Sequence, residues 1–284
     1  MSSTKVTPEL VKELRERTGV GMAKCKEALD QAGGDLETAI DILRKAGMAG
    51  AVKKEGRETK EGSIGHSESK SSVALVEVNA ETDFVTQNEK FKEFLKELCH
   101  EAAETKPATL EAFLNQKSKK DPNLTLDQAR ALIVQSLGEN IQVKRLLILP
   151  KSSDISIGVY SHMNGKIVCV VQLTGGAGQE ALARDIAMHV AAESPDYLRP
   201  QDVPAQVKAR EEEIAKEQVK GKPANIVDKI VEGKLKAFYD MVCLLHQKYI
   251  RDNSITITQL LENESKRLGK QLGIKGFIRW KVGE

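Results

Sequence analysis

Few residues of this chain are suited to chemistry by type and spacing. Gly176-Ala177-Gly178-Gln179-Glu180-Ala181 has the form GxGxxA, in which a glycine turn between strand and helix lets backbone amides approach a dinucleotide's pyrophosphate. An NAD(P)-dependent oxidoreductase would also need a second parallel strand ending in an acidic residue. The chain instead continues into Ser194-Pro195-Asp196-Tyr197-Leu198-Arg199-Pro200, an irregular stretch, so a plain glycine turn entering a helix explains the motif better. No GxxxxGK[ST] phosphate loop occurs. The five histidines are isolated, and a Ser/His/Asp set can be assigned only by arbitrary choice. Cys25, Cys99, Cys169 and Cys243 stand singly, without CxxC or a zinc-like histidine spacing, and read as four reduced core thiols. No catalytic residue, metal or cofactor is expected.

One segment resists such a bland reading: Asn79-Ala80-Glu81-Thr82-Asp83-Phe84-Val85-Thr86. Thr86 and Glu89 have capping-box spacing, which predicts a helix start at Thr86 and leaves Asp83-Phe84 in the turn before it. Phe84 then lies on neither the strand's alternation nor the helix's stripe. Local pattern leaves two readings open. Phe84 folds back as a plug over the sheet end, or it stands out as an aromatic wedge beside a carboxylate, suited to prising another protein open. Among the histidines, His189 is expected to pack on the inner face of a helix. His162, within Tyr160-Ser161-His162-Met163-Asn164-Gly165, is expected in an exposed hairpin turn, available to a partner.

The elements that would position these residues emerge from periodicity. Thr7-Pro8 starts a helix to about Arg17, Gly19-Val20-Gly21 makes a corner, and a second helix carries Met22, Cys25, Ala28 and Leu29. Asp35 caps a third, with Leu36, Ala39, Ile40 and Leu43 on its apolar face and Gly47 closing it. Residues 48–62, small and charged, read as a solvated linker. The next stretch is a repeat: Ser63-Ile64-Gly65 precedes a strand over 73–80 and a helix bearing Phe91, Phe94, Leu95, Leu98 and Ala102. Ser156-Ile157-Gly158 likewise precedes a strand over 167–174 and a helix bearing Leu182, Ile186 and Val190. Between the halves, Thr125 and Gln128 predict a capped helix to about Ser136, then a strand over 141–149. Farther on, two antiparallel helices around Gly221-Lys222-Pro223 are expected to project as a hairpin, and 276–282 alternates as a last strand returning to the second sheet.

The expected fold is therefore α+β: an N-terminal three-helix bundle, then a duplicated core of antiparallel sheets with helices on one face, plus a projecting helical hairpin. The expected organisation is 1–47 bundle, 48–62 linker, 63–150 first core half, 151–204 second core half, 205–240 hairpin and 241–284 return to the second half. With 284 residues, 40% hydrophobic and 30% charged, the composition is that of an ordinary globular chain. Only 4% aromatics and a formal charge of +2 disfavour nucleic-acid binding. No apolar run approaches the roughly 18 residues of a membrane span, and Met1-Ser2-Ser3-Thr4-Lys5 has no apolar export-signal core, which points to a cytoplasmic location.

Ordered matches along the whole chain add a resemblance. Residues 10–22, opening Leu10-Val11-Lys12-Glu13-Leu14, and Cys25-Lys26-Glu27-Ala28-Leu29 resemble the opening signature of the bacterial elongation factor Ts family. Thr82-Asp83-Phe84-Val85, Gly138-Glu139-Asn140-Ile141, residues 186–192, Val231-Glu232-Gly233-Lys234 and Gly276-Phe277-Ile278-Arg279 are similar to later motifs of that family. The resemblance implies a non-enzymatic guanine-nucleotide exchange factor for the GTPase elongation factor Tu, acting in protein biosynthesis, with no small-molecule substrate of its own. It implies a ubiquitin-associated-like opening module with Arg15 and Met22 at contact positions. Asp83 and Phe84, within Thr82–Val85, would intrude near the GTPase's magnesium site, while Leu137, Gly138 and His162 press toward its phosphate loop. The resemblance thereby favours the wedge reading of Phe84. Thr86-Gln87 departs from the family, which often has a small then a basic residue there.

Overall fold

The computed structural model describes residues 5–219 and 224–284. Two compact units divide the chain: Met1–Pro150 with Lys281–Glu284, and Lys151–Trp280. The class is α+β.

In the first unit, α1 (Pro8–Thr18) starts as expected, with Thr7 Oγ1 accepting from Leu10 N and proline in the first turn. It ends at Gly19, whose φ of +66° is left-handed. Helix α2 (Met22–Gln31) and helix α3 (Leu36–Lys54), capped by Asp35, complete the bundle around Val11, Leu14, Cys25, Leu29, Ile40 and Leu43. Gly47 does not end α3, contrary to expectation, because it is a crossing point. A Cβ there would come within 2.9 Å of Gln135 Oε1 and 3.3 Å of Leu132 Cδ2, so glycine lets α3 lie close to a later helix, and Ala51 beyond it is buried in the first core. Nor is the remainder of the expected linker a free tether. The carbonyls of Glu55 and Arg57 accept from Asn140 Nδ2 and that of Thr59 from Asn79 Nδ2, pinning the segment to the sheet.

Strands β1 (Glu61–Glu68) and β2 (Ser72–Ala80) form an antiparallel pair, and two helices come next, α4 (Asp83–Gln87) and α5 (Glu89–Thr105). After α6 (Leu110–Asn115), which periodicity did not reveal, come α7 (Leu126–Leu137) and β3 (Ile141–Pro150). The Thr125–Gln128 capping box of α7 forms as predicted. The sheet order is β1-β2-β3, and α5 covers one face, burying Phe91, Phe94, Leu95 and Leu98 against Ala74, Val76 and Val78. The predicted Thr86–Glu89 capping box is replaced by something else. Asn88 caps α5 through Lys90 N, while the Thr86 hydroxyl donates to Asp83 O and closes the short α4.

The second unit repeats the plan. Strands β4 (Ile155–His162) and β5 (Ile167–Thr174) pair antiparallel, and α8 (Glu180–Glu193) covers them with Ala183, Ile186, Ala187 and Val190. Helices α9 (Ala205–Gln218) and α10 (Ala224–Val242) form the hairpin. They run antiparallel, since Ala215 and Val219 pack with Val227, Ile230 and Val231 at one end, and Val203 and Val207 with Phe238 and Val242 at the other. The predicted breaker Gly221-Lys222-Pro223 lies outside the described residues. A two-stranded ribbon, β6 (Lys248–Tyr249) and β7 (Asp252–Thr256), leads into α11 (Ile257–Leu268), neither of them foreseen. The last strand, β8 (Gly273–Lys281), joins the second sheet in the order β4-β5-β8, as expected.

Candidate functional site

Helix α4 is the unusual element. It has five residues, too few to be stable by propensity, and Val85 alone ties it into the first hydrophobic core. Successive helical residues point about 100° apart, so burying Val85 and Thr86 turns their predecessors outward. Asp83 is exposed, and Phe84 is 84% exposed, the most exposed large apolar side chain among the described residues. The plug reading is thereby excluded in the free chain.

Around α4, hydrogen bonds join other residues singled out from the sequence. Glu139 accepts from Thr82 N at 3.0 Å and from Thr82 Oγ1 at 2.6 Å. Glu139 directly follows Gly138, the left-handed cap of α7 at φ +82°, which is exposed, whereas Leu137 is half-buried against the first core. Two residues before the cap, Ser136 Oγ donates to Gly19 O at 2.8 Å, and Lys90 Nζ reaches both of those oxygens at 2.7 Å. Gly19 is the corner between α1, with exposed Arg15 in its last turn, and α2, which opens on half-exposed Met22. Arg15, Met22, Leu137, Gly138 and Thr82–Val85 are thus linked through one hydrogen-bonded edge of the first unit. Three members of that edge, Lys90, Ser136 and Glu139, were not foreseen. Only Glu139 left a trace in the sequence, as the neighbour of Gly138.

His162 belongs to the second unit, where it ends β4 beside the hairpin turn. Its ring is exposed, stacked on Tyr160 at 6.0 Å, with Nδ1 3.2 Å from the Tyr160 hydroxyl. Its neighbour Met163 is 66% exposed, a second protruding apolar side chain that sequence reading passed over. His189 is packed, as expected. Nε2 lies 3.0 Å from Gln247 Oε1, Nδ1 accepts from Ile250 N, and burial holds its pKa below the ordinary imidazole value. All four cysteines are buried free thiols, and burial pushes Cys99 and Cys169 up to about 12. No group of acidic, histidine or cysteine side chains suited to a metal occurs among the described residues.

Four consecutive amides of the glycine motif are already bonded within the chain. Gly176 N and Ala177 N donate to Asp154 O and Ser153 O, Gly178 N to Glu180 Oε1, and Gln179 N to Ser156 Oγ. The strands beside it are antiparallel.

Comparison with known proteins decides the family. Residues 81–284 match the family described as Elongation factor TS. This chain belongs to the elongation factor Ts family. The Elongation factor Ts of Protochlamydia amoebophila (strain UWE25) is 61% identical over 279 residues, covering 98% of this chain and 99% of that protein. Those of Chlamydia muridarum and Chlamydia caviae are 45% and 46% identical over 275 residues, each covering 97% of this chain and 98% of the relative. The family match begins at Glu81, so it takes in α4 and every later element, while the full-length relatives extend the likeness over the bundle.

Proposed function

We propose that this chain is a non-enzymatic guanine-nucleotide exchange factor for elongation factor Tu, working in the cytoplasm during translation elongation. Membership of the elongation factor Ts family supports the partner and the activity. The observation that carries the mechanism is Phe84, held 84% exposed on a short helix whose other side is anchored by Val85.

A GTPase holds GDP through backbone amides and a magnesium ion, so disturbing both lowers nucleotide affinity without any bond being made or broken. Phe84 enters the partner as a wedge, and burying its ring contributes roughly 1.5–3 kcal/mol that is available only in the complex. Asp83, exposed beside it, supplies polar contacts near the magnesium site. Gly138, with Leu137 behind it, and His162 press toward the phosphate loop, and the bundle docks through Arg15 and Met22. The coupling is reciprocal: GDP weakens the hold of the exchange factor by the same factor by which the exchange factor weakens GDP, so the factor cycles. Neither nucleic acid nor a membrane is needed. Among the described residues no helix is long and apolar enough to cross a membrane.

The test is release of a fluorescent GDP analogue from purified elongation factor Tu. The chain accelerates release, and Phe84→Ala slows that acceleration roughly 10- to 150-fold if the ring's burial is realised at the transition state. Absence of acceleration by the unaltered chain overturns the exchange reading, and full activity of Phe84→Ala overturns the wedge.

A further inference from the structure

Helix α4, anchored on one side by Val85, has no side-chain cap at its start. A threonine at an N-cap ordinarily turns its hydroxyl oxygen toward the amides of the first helical turn. Thr82 is the N-cap of α4, with extended φ −126° and ψ 157°, yet its side chain makes no such bond. Its hydroxyl points the other way and donates to Glu139 Oε1, while its amide donates to Glu139 Oε2. The two oxygens of one carboxylate therefore hold two donors of one residue, which fixes rotation as well as position.

The grip is mutual. Glu81, one residue before Thr82, accepts from Asn140 N at 2.6 Å, one residue after Glu139, and Arg57 Nη1 approaches the same Glu81 oxygen at 3.4 Å. The last paired residues of β2 and β3 are Ala80 and Ile141, so the crossed carboxylates continue the ladder just where backbone pairing stops. Each acidic side chain satisfies an amide of the opposite segment that the sheet no longer reaches. The helix bearing Phe84 and the loop bearing Gly138 are thereby clamped into one piece.

We propose that Glu139 is a positioning residue for nucleotide exchange, setting the direction in which α4 presents Phe84; this rests on the exchange reading above. Glu139 is half-buried and outside the hydrophobic core, so removing it loosens α4 without opening that core. A merely structural role would show as a loss of stability with release impaired only in proportion to unfolded protein.

The experiment is a double-mutant cycle on release of the fluorescent GDP analogue from elongation factor Tu, with melting followed by circular dichroism. Glu139→Ala is expected to lower the maximal release rate about tenfold, the size of one lost charge-assisted contact, and to lower the melting profile modestly, by far less than would unfold about a tenth of the chain at the assay temperature. In the Phe84→Ala background the same substitution adds little, because the side chain it positions is gone. Thr82→Val, which removes only the hydroxyl, slows release, and Thr82→Ser restores it; this pair decides the matter should Glu139→Ala fold poorly. Wild-type rates in Glu139→Ala and Thr82→Val, with Phe84→Ala slow, overturn the positioning role and leave the exchange reading intact. Losses that multiply in the double variant overturn it too, since Glu139 would then act independently of Phe84. No acceleration by the unaltered chain marks failure of the exchange reading itself.

Discussion

Gly65 and Gly158 occupy the same place in the two copies of the repeat, and their replacement by alanine should have unequal effects. Gly158 on β4 lies under α8, where an added Cβ would be 2.1 Å from Arg184 N, 2.3 Å from the Ala183 carbonyl carbon and 2.6 Å from Ala183 Cβ. The nearest two are main-chain atoms, so no change of rotamer relieves the overlap. Helix α8 must retreat by about 1 Å, and a gap of that size forfeits roughly a quarter to a half of each dispersion contact it opens. The residues that lose contact are Ala183, Ile186, Ala187 and Val190, all fully buried. Gly65 on β1 faces side chains instead: an added Cβ meets Cys99 Sγ at 2.6 Å and Leu95 Cγ at 2.9 Å, and both can turn aside. Gly158→Ala should therefore cost about 3 kcal/mol or more, at or above the top of the usual overpacking range, and Gly65→Ala about 1–2 kcal/mol. The lower entropy of the unfolded alanine chain offsets only about 0.4–1 kcal/mol in either case. Urea unfolding followed by circular dichroism measures both costs. Each unit has its own core, so the Gly158 loss falls on the transition of the Lys151–Trp280 unit. Costs below about 0.5 kcal/mol for both variants, or the reverse order, would refute the close-packing argument.

The stability of the second unit should also depend on His189. Its Nδ1 accepts an amide proton and its pKa is lowered by burial, so the fold favours the neutral ring and the unfolded chain takes up the proton first. This contribution is fully present above the unfolded value of about 6.5 and is lost as pH falls through the lower folded value, with a slope of at most about 1.4 kcal/mol per pH unit. Urea midpoints between pH 5 and 8 should show that slope in the unaltered chain and a shallower one in His189→Gln; equal slopes would contradict it. In the first unit, the Glu77 side chain is 1% exposed, with Arg145 Nε at 2.5 Å and Gly283 N at 3.4 Å. Arg145→Met strands that carboxylate and should cost about 3–5 kcal/mol in the same assay, partly recovered by adding Glu77→Gln. A single-variant cost under about 1 kcal/mol would show that Glu77 is held by its other contacts.

Legibility from sequence tracked the range of the interactions involved. Thr7-Pro8, Asp35 and the Thr125–Gln128 box act over three residues, and each starts a helix where it was read. Gly47 misled because a glycine at a helix crossing looks the same as one at a helix end, and only α7, some 80 residues later in sequence, tells them apart. Thr86 misled for a similar reason: Asn88, two residues on, is the better cap, and the buried Thr86 hydroxyl is spent on Asp83 O. The exposure of Phe84 needed Val85 to be seen in the core, and the clamp from Glu139 spans 57 residues, with no local spacing to announce it. Helix α11 was passed over although its signal is local: Thr256 and Gln259 form a capping box, and Ile257, Leu260, Leu261 and Leu268 fall at helical spacing, with Ile257 and Leu261 buried. The two-stranded ribbon before it, whose β6 has only two residues, is too short to show an alternation.

The duplication also explains why a dinucleotide-like glycine motif stands in a chain of this family. Both copies must turn from the end of their second strand into the helix that covers the sheet. In the first copy the reversal between Ala80 and Glu89 is long enough to hold α4 and the exposed Phe84. In the second it is cut to the few residues between Thr174 and Glu180, and Gly175, Gly176 and Gly178 reach it only through φ values of +109°, +107° and +95°. A side chain at Gly175 would also strike Gln271 O at 2.4 Å, so the loop is pressed against its own unit as well as sharply bent. The glycines are therefore the cost of a short reversal, and the amides of Gly176, Ala177, Gly178 and Gln179 are bonded to Asp154, Ser153, Glu180 and Ser156. At one topological position, then, the first copy lengthens the connection and exposes an aromatic ring, while the second shortens it and carries no large apolar side chain to expose. That asymmetry is what the exchange reading requires: a single wedge, placed where the sheet ends and held from outside by Glu139.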